Sequence, residues 1–260
     1  MNRIFVREQY DEEYCSVKSR FKIGVMGMGQ AVGTSFVATA IAKELSKEKE
    51  KHIAYLEVNR NIDKTFLYDS LGMDKRFAGR NFFDFYTETA QGKSITGMVN
   101  LDEHINWALC IPENVMTTGK RVLENIELCR MINNIEGNYI ICDITSCDKL
   151  EQILKEMDVI VFVIDPIPSK LIRAYESLCL IKKCQLSGQK IVWAVNKYNA
   201  GINKREFSDF VKLKQFIKIP LIPQEEIYLA EYNCKLPYSV KSVKALLNEP
   251  IRQILHIIDN

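Results

Sequence analysis

Residues 24–36 read Gly-Val-Met-Gly-Met-Gly-Gln-Ala-Val-Gly-Thr-Ser-Phe, and this glycine-rich stretch decides the fold of the chain. An apolar run at 23–26 leads into it, and a helix-forming stretch follows from Phe36. A strand, a glycine-rich turn and a helix, in this order, form the context that a phosphate-binding loop requires. The turn directs backbone N–H groups inwards, and the N-terminus of the helix adds positive potential. The predicted phosphate-binding residues are Gly29, Gln30, Ala31, Val32, Gly33, Thr34 and Ser35.

The loop departs from the pattern G-x-x-x-x-G-K-[ST] at two positions. Met28 stands where the first glycine is expected, and Thr34 stands where the lysine is expected. In a working loop the lysine reaches the β- and γ-phosphates, and a Ser or Thr hydroxyl binds magnesium. Ser35 supplies the hydroxyl, whereas Thr34 carries no charge. Lys170 and Lys197 are candidates to replace the missing charge from other strands, a point that their spacing in the sequence does not decide.

Size and charge narrow the class of protein. The 260 residues suit one large α/β domain, and a hydrophobic content of 47% is ample for its core. The 35 basic and 33 acidic residues leave a net charge of +2, which gives no indication of a nucleic-acid partner. No apolar run approaches the ~20 residues of a membrane span, and residues 1–20 lack the apolar core of a signal peptide. We therefore expect a cytoplasmic protein.

Apolar, strand-like runs alternate with helix-forming stretches from residue 21 onwards. The predicted strands are 22–27, 52–58, 107–111, 138–143, 159–164, 190–196 and 219–222. The predicted helices are 34–49, 119–135, 149–156, 169–186, 204–214, 225–232 and 241–258. This alternation predicts an α/β fold: a doubly wound, mostly parallel sheet with helices on both faces. Residues 21–260 are expected to form this single domain and residues 1–20 a polar N-terminal arm, while the aromatic region 60–106 is less regular.

Polar residues end two of the predicted strands, at the edge of the sheet where ligands of such folds bind. Glu57 and Asn59 lie at the end of the second strand and are candidate switch residues that face the γ-phosphate or its attacking water. Asn59 can position water but cannot accept its proton. The alternative is a strand end that simply becomes polar. The run Tyr-Ile-Ile-Cys-Asp at 139–143 has the outline of a Walker B strand, so Ser35 and Asp143 are the predicted magnesium ligands.

These features together resemble the MinD/ParA branch of the P-loop NTPases, and the resemblance extends over residues 21–258. Residues 32–36, Val-Gly-Thr-Ser-Phe, align with V-G-K-T-T in the loop of that family. The signature lysine of the family then falls at Gly29 and the second lysine at Thr34. Both lysines are therefore absent from this chain.

The later motifs of the family are kept in part. Its D-x-D after the second strand is Glu-Val-Asn at 57–59, so the activating aspartate is altered. Its Walker B aspartate is kept as Asp143, but Thr145 and Cys147 replace the proline and glycine that usually follow. Residues 158–166 are similar to its A-D-x-v-i-v-V-t-x-P strand. By this resemblance the adenine-binding residues are Asn196, Lys197 and Pro223.

The resemblance implies ATP or ADP with magnesium as the ligand. The two missing lysines lower both the expected nucleotide affinity and the expected rate of hydrolysis. Each lysine–phosphate contact contributes roughly 1.5–3 kcal/mol, so the loss of two weakens nucleotide binding by roughly 10²–10⁴-fold. Each lost contact to the transition state costs a further ~10²–10³ in rate. The sequence therefore predicts a degenerate, non-hydrolysing protein that binds nucleotide or acts as a scaffold or positioning protein. The alternative is an active ATPase with an atypical Walker A loop, involved in cellular positioning or assembly.

The partners follow from the same resemblance. A homodimer or a complex with another protein is expected, and no nucleic acid is indicated. Membrane contact through the last predicted helix is not favoured, because its apolar face fits packing on the sheet equally well. The helix also carries only three basic residues, too few for a strong basic face, and the proline at 250 interrupts that face.

Overall fold

The computed structural model describes residues 20–59, 67–72, 105–109, 123–144 and 150–260. Seven strands in these ranges form one sheet in which every neighbouring pair is parallel, in the order β3-β2-β4-β1-β5-β6-β7. The strands are β1 (Phe21–Gly27), β2 (Ile53–Val58), β3 (Ile105–Ala108), β4 (Tyr139–Ile144), β5 (Val159–Ile164), β6 (Lys190–Tyr198) and β7 (Ile217–Pro220). The predicted parallel α/β sheet is confirmed.

Helices connect most of the strands, as parallel strands require. They are α1 (Thr34–Leu45), α2 (Leu67–Ser70), α3 (Asn125–Asn134), α4 (Glu151–Lys155), α5 (Pro168–Arg173), α6 (Tyr175–Leu186), α7 (Lys204–Val211), α8 (Gln224–Tyr232) and α9 (Lys241–Asp259). The single helix predicted over 169–186 is wrong: α5 and α6 are separated at Ala174, whose backbone leaves the helical region at φ −100° and ψ 16°. Ala174 is buried, and no glycine or proline marks this break in the sequence.

The strands are apolar because both faces of the sheet are covered. Every residue of β2 and of β5 is buried, and so are the last five residues of β1 and of β4. Apolar area of this kind contributes about 25 cal/mol per Å² removed from water. The central strand β1 lies between β4 and β5, so the loop that follows β1 is surrounded by the ends of both neighbours.

The C-terminal helix α9 packs on β6 and β7 and also contacts α1. Its apolar face is buried through Leu247, Ile251, Ile254 and Ile258, which agrees with packing on the sheet. No helix in the described ranges has the length and the apolar character needed to cross a bilayer.

A polar contact fixes α1 to the segment that precedes α9. The side chain of Glu44 is almost fully buried, and its Oε2 accepts a hydrogen bond of 2.6 Å from the Tyr238 hydroxyl. Lys47 pairs with the same oxygen, and Arg252 lies 3.9 Å from Oε1. Burial raises the pKa of Glu44, but the hydrogen bonds from Lys47 and Tyr238 outweigh it and leave the pKa below its ordinary value. The helix that begins at the glycine-rich loop is thereby held at its C-terminal end.

Several sequence predictions fall outside the described residues. These are the N-terminal arm up to residue 19, most of the aromatic region 60–106, the ends of the predicted elements at 110–122, and the positions Thr145 and Cys147.

Candidate functional site

The glycine-rich loop connects β1 to α1, and its first residue is absorbed into the core. The N–H of Met28 donates to the carbonyl of Val163 at 2.9 Å, which continues the pairing of β1 with β5. The Met28 side chain is 3% exposed, and its Sδ accepts a hydrogen bond of 3.2 Å from the N–H of Asp165. Methionine replaces the expected glycine here because this position serves as buried packing.

Two glycines permit close approaches within the loop. A Cβ atom on Gly27 would lie 2.2 Å from Oγ1 of Thr34, so the Thr34 side chain packs directly against β1. Gly33 has a left-handed φ of +93°, and a Cβ there would lie 2.2 Å from Nδ2 of Asn196. Gly29 is different, because the nearest atom to a Cβ there is the Cβ of Ala174 at 4.0 Å. The position of the missing signature lysine therefore has room for a side chain.

Asn196, a predicted adenine-binding residue, supports the loop from beneath. It is 4% exposed, and its Nδ2 donates to the carbonyl of Val32 at 2.8 Å. Its Oδ1 accepts from the N–H of Lys197 at 2.9 Å, and the Lys197 ammonium donates to the carbonyl of Ala31 at 2.9 Å. Pro223 is exposed and directly precedes α8. The described contacts thus place Asn196 and Lys197 against the loop.

The contact between Gly33 and Asn196 predicts a specific sensitivity. Gly33→Ala is expected to destabilise the fold by about 2 kcal/mol or more, because a left-handed backbone costs an alanine about 1–2 kcal/mol and the methyl group also displaces Asn196. Gly188→Ala is the matched control: Gly188 has φ +94° but no atom within 4 Å of its Cβ position. Urea unfolding measures both variants. Equal losses of stability would show that the Asn196 contact contributes nothing.

Asp143 occupies the tip of β4 beside the loop. Asp143 is buried. In the sheet it pairs with Val25 on β1 and with Glu57 on β2. The Tyr55 hydroxyl donates to Oδ2 at 2.8 Å, whereas Oδ1 is buried without a hydrogen-bond partner in the described ranges. Burial raises the pKa of Asp143 to about 6, and the nearby Ser35 and Tyr55 hydroxyls only reduce this effect.

The chemistry of this pair fits a magnesium ion. Magnesium prefers oxygen ligands, and it is commonly held by one or two protein groups together with nucleotide phosphates. Ser35 supplies a hydroxyl at the start of α1, and Asp143 supplies a carboxylate whose Oδ1 needs a partner. Burying a carboxylate oxygen without a hydrogen-bond partner lowers the stability of the fold, so a cation bound at this oxygen would offset that loss.

The two candidate switch residues lie at the end of β2. Glu57 is 6% exposed, and its Oε1 accepts a hydrogen bond of 3.2 Å from the N–H of Leu67 at the start of α2. Asn59 is 7% exposed and directly follows the strand. The structure therefore brings Glu57 into register with Asp143, while one oxygen of Glu57 is engaged by α2.

A cluster that the sequence did not single out as a unit lies on the other side of the loop. Asp165 is fully buried after β5, and its Oδ2 accepts hydrogen bonds from Lys170 at 2.8 Å and from Lys197 at 2.9 Å. Both ammonium groups also donate to the carbonyl of Ala31, at 3.1 and 2.9 Å. The sequence did contain a signal for this cluster: Asp165 and Pro166 follow a strand, and the helix that comes next begins at Pro168 and carries Lys170.

Comparison with solved structures gives the fold a clear place. A ParA family ATPase from Chlorobium tepidum TLS superposes with a TM-score of 0.70 at 16% identity, over 92% of this chain and 99% of that one. A putative plasmid partition protein from Borrelia burgdorferi bound to AMPPNP gives 0.68 at 17% identity, over 91% and 98%. The septum site-determining protein MinD from Pyrococcus horikoshii, complexed with Mg-ADP, gives 0.61 at 13% identity, over 90% and 96%.

Sequence comparison adds nothing to this result, since no protein-family model matches the chain and no curated protein matches it significantly. At these identities the likeness establishes the architecture, and it agrees with the resemblance carried by the loop and strand motifs. The chain has the fold of the ParA and MinD ATPases.

Proposed function

We propose that this protein binds ATP or ADP with magnesium at residues 29–35 and uses the bound state for positioning or assembly, with little or no hydrolysis. The observation that carries the proposal is the buried Asp143 carboxylate, which has one oxygen without a hydrogen-bond partner among the described residues and lies beside Ser35 at the start of α1. Two proteins of similar fold were solved with AMPPNP and with Mg-ADP bound, which supports a nucleotide as the ligand here.

Each part of the proposed site has a distinct task. The N–H groups of the loop and the N-terminus of α1 bind the phosphates. Ser35 and Asp143 would hold a magnesium ion, which would neutralise negative charge on the phosphates. Asn196 keeps the loop in shape by holding the carbonyl of Val32.

Weak hydrolysis follows from residues of the glycine-rich loop, from the first residue of α1 and from the residue after β2. Gly29 and Thr34 supply no charge to a developing transition state, and Asn59 cannot accept a proton from water. The second candidate function, a slow but genuine ATPase, is favoured by one observation: Glu57 places a carboxylate in register with Asp143. A turnover measurement separates the two functions.

The proposed action requires a second protein surface. Ile167, Ile172 and Tyr175 are between 46% and 69% exposed on or beside α5 and α6, the segment that also carries Lys170. Exposed apolar residues next to a ligand site favour a second copy of the chain or another protein as the partner. Light scattering with and without MgATP measures the first possibility.

The proposal is tested by calorimetric titration combined with a phosphate-release assay. We expect wild-type protein to bind MgATP, and Asp143→Ala to weaken this binding by about 100-fold, because a magnesium ligand is lost. Steady-state phosphate release should be indistinguishable between the two proteins. Turnover by the wild type that Asp143→Ala abolishes would support the ATPase instead, and the absence of binding in the wild type would reject both candidates.

A further inference from the structure

The lysine cluster around Asp165 joins three segments that are distant in the sequence. Lys170 comes from α5, Lys197 from β6, and both ammonium groups converge on Oδ2 of Asp165 and on the carbonyl of Ala31. Four hydrogen bonds of 2.8–3.1 Å therefore hold two cations at the outer rim of the loop.

The two lysines carry more positive charge than Asp165 neutralises and more N–H donors than Asp165 and Ala31 accept from. Two ammonium groups face one carboxylate, which leaves one net positive charge. Burial raises the pKa of Asp165, but hydrogen bonds from Lys170 and Lys197 outweigh it and keep the pKa below its ordinary value. Each ammonium has three N–H donors, of which two are engaged in the cluster. No contact within the described ranges engages the third donor of either lysine, and the two side chains are 32% and 34% exposed.

The backbone around the cluster is irregular at the two positions that connect it to the loop. Ala31 and Lys197 both have left-handed backbones, with φ of 54° and 59°, which residues other than glycine rarely adopt. The pairing of β6 with β7 is also irregular between Val195 and Tyr198. Irregular strand pairing of this kind redirects a side chain, and strained residues gather at functional sites.

The space beside Gly29 points to the same region. The nearest neighbour of a Cβ at Gly29 is Ala174, whose N–H donates to the carbonyl of Lys170. The segment that carries Lys170 therefore borders the place left open by the missing signature lysine.

We infer that Lys170 and Lys197 bind the phosphate oxygens of a nucleoside di- or triphosphate at residues 29–35 and supply the positive charge that Gly29 and Thr34 lack. This inference rests on the proposed function, and it assigns Lys197 to the phosphates, whereas the resemblance to the MinD/ParA branch assigns it to the adenine. Its structural alternative is a lock, in which the two lysines only hold the loop closed through Ala31 and Asp165.

The experiment compares wild type with the double variant Lys170→Gln/Lys197→Gln, in which neutral donors replace the charges. Lys244→Gln, an exposed lysine on α9, is the matched control for loss of charge. Calorimetric titrations in magnesium buffer at fixed ionic strength use ATP, inorganic tripolyphosphate and adenosine as probes. Thermal unfolding of each variant shows whether it is folded.

We expect the double variant to bind ATP and tripolyphosphate about 30- to 100-fold more weakly than wild type, with adenosine binding unchanged. Lys244→Gln should stay within about twofold for every probe. Equal weakening of ATP and adenosine, together with a lower melting temperature, would show a structural lock and overturn the inference.

The remaining outcomes separate this inference from the proposed function. ATP binding that depends on Asp143 but is unchanged in the double variant overturns the inference and leaves the proposed function standing. Lysine-dependent binding of tripolyphosphate without any binding of ATP would show that the two lysines bind a polyphosphate but no nucleotide, and would overturn both the proposed function and the inference. If wild type binds neither probe, both are overturned.

Discussion

Thr34→Lys is expected to tighten MgATP binding by about 10- to 100-fold, because one charge-assisted phosphate contact is restored. Thr34 is the first residue of α1, and its side chain already packs against Gly27 beneath the loop. A lysine at this position can extend over the loop towards the phosphates. Hydrolysis should not return, since Asn59 still cannot accept a proton.

The control for this prediction is Thr34→Met, which adds a chain of similar length without charge. It should leave MgATP affinity unchanged or slightly weaker. The gain from Thr34→Lys should also be larger when Lys170 and Lys197 are both changed to Gln, because the new lysine then has no competing cations. Calorimetric titration of the four combinations forms a double-mutant cycle. Equal affinity of Thr34→Lys and Thr34, both with Lys170 and Lys197 present and with both changed to Gln, would show that a side chain at position 34 does not reach the phosphates.

Asp143→Asn is expected to stabilise the metal-free protein at pH 8 by up to about 3 kcal/mol, while removing magnesium-dependent nucleotide binding. Burial raises the folded-state pKa of Asp143 from 3.8 to about 6, so the native protein binds more protons than the unfolded chain in this window. The contribution of Asp143 is therefore fully present below pH 3.8 and is lost as the pH rises through about 6. Asparagine stays neutral and keeps an acceptor for Tyr55.

Urea unfolding in EDTA at pH 4 and pH 8 measures this effect. The wild type and Asp143→Asn should be nearly equally stable at pH 4, and the variant should be the more stable at pH 8. Asp209→Asn, at an exposed carboxyl on α7, is the control and should show no such dependence on pH. A wild-type advantage at pH 8 would mean that the ionised carboxylate is stabilised without any cation.

Much of the fold follows from local patterns in the sequence. The strands are recognisable because a parallel strand covered on both faces must be apolar throughout, as β2 and β5 are. The seven predicted strands are all present, with ends displaced by a few residues. The break at Ala174 was not predictable, since alanine is the residue that most favours helix and nothing in the local sequence marks the interruption.

The site was only partly predictable for a related reason. The positions of Ser35 and Asp143 follow from motifs that lie within single segments. The cluster of Asp165 with two lysines depends on the fold, because the ammonium groups reach Ala31 from 139 and 166 residues further along the chain. A count of charges within the loop therefore finds two lysines missing, whereas the structure places two lysines at its rim. Met28 likewise looks like a defect in the motif, although it is a buried contact beneath Asp165.

The most direct test of nucleotide binding is native mass spectrometry of the purified 260-residue chain, before and after incubation with magnesium and ATP. We expect wild type to show a species heavier by one ATP or ADP with magnesium, and Asp143→Ala to show only the mass of the chain. An unliganded wild-type spectrum under both conditions, from protein that is folded by thermal unfolding, would contradict the central claim that the loop after β1 holds a nucleotide.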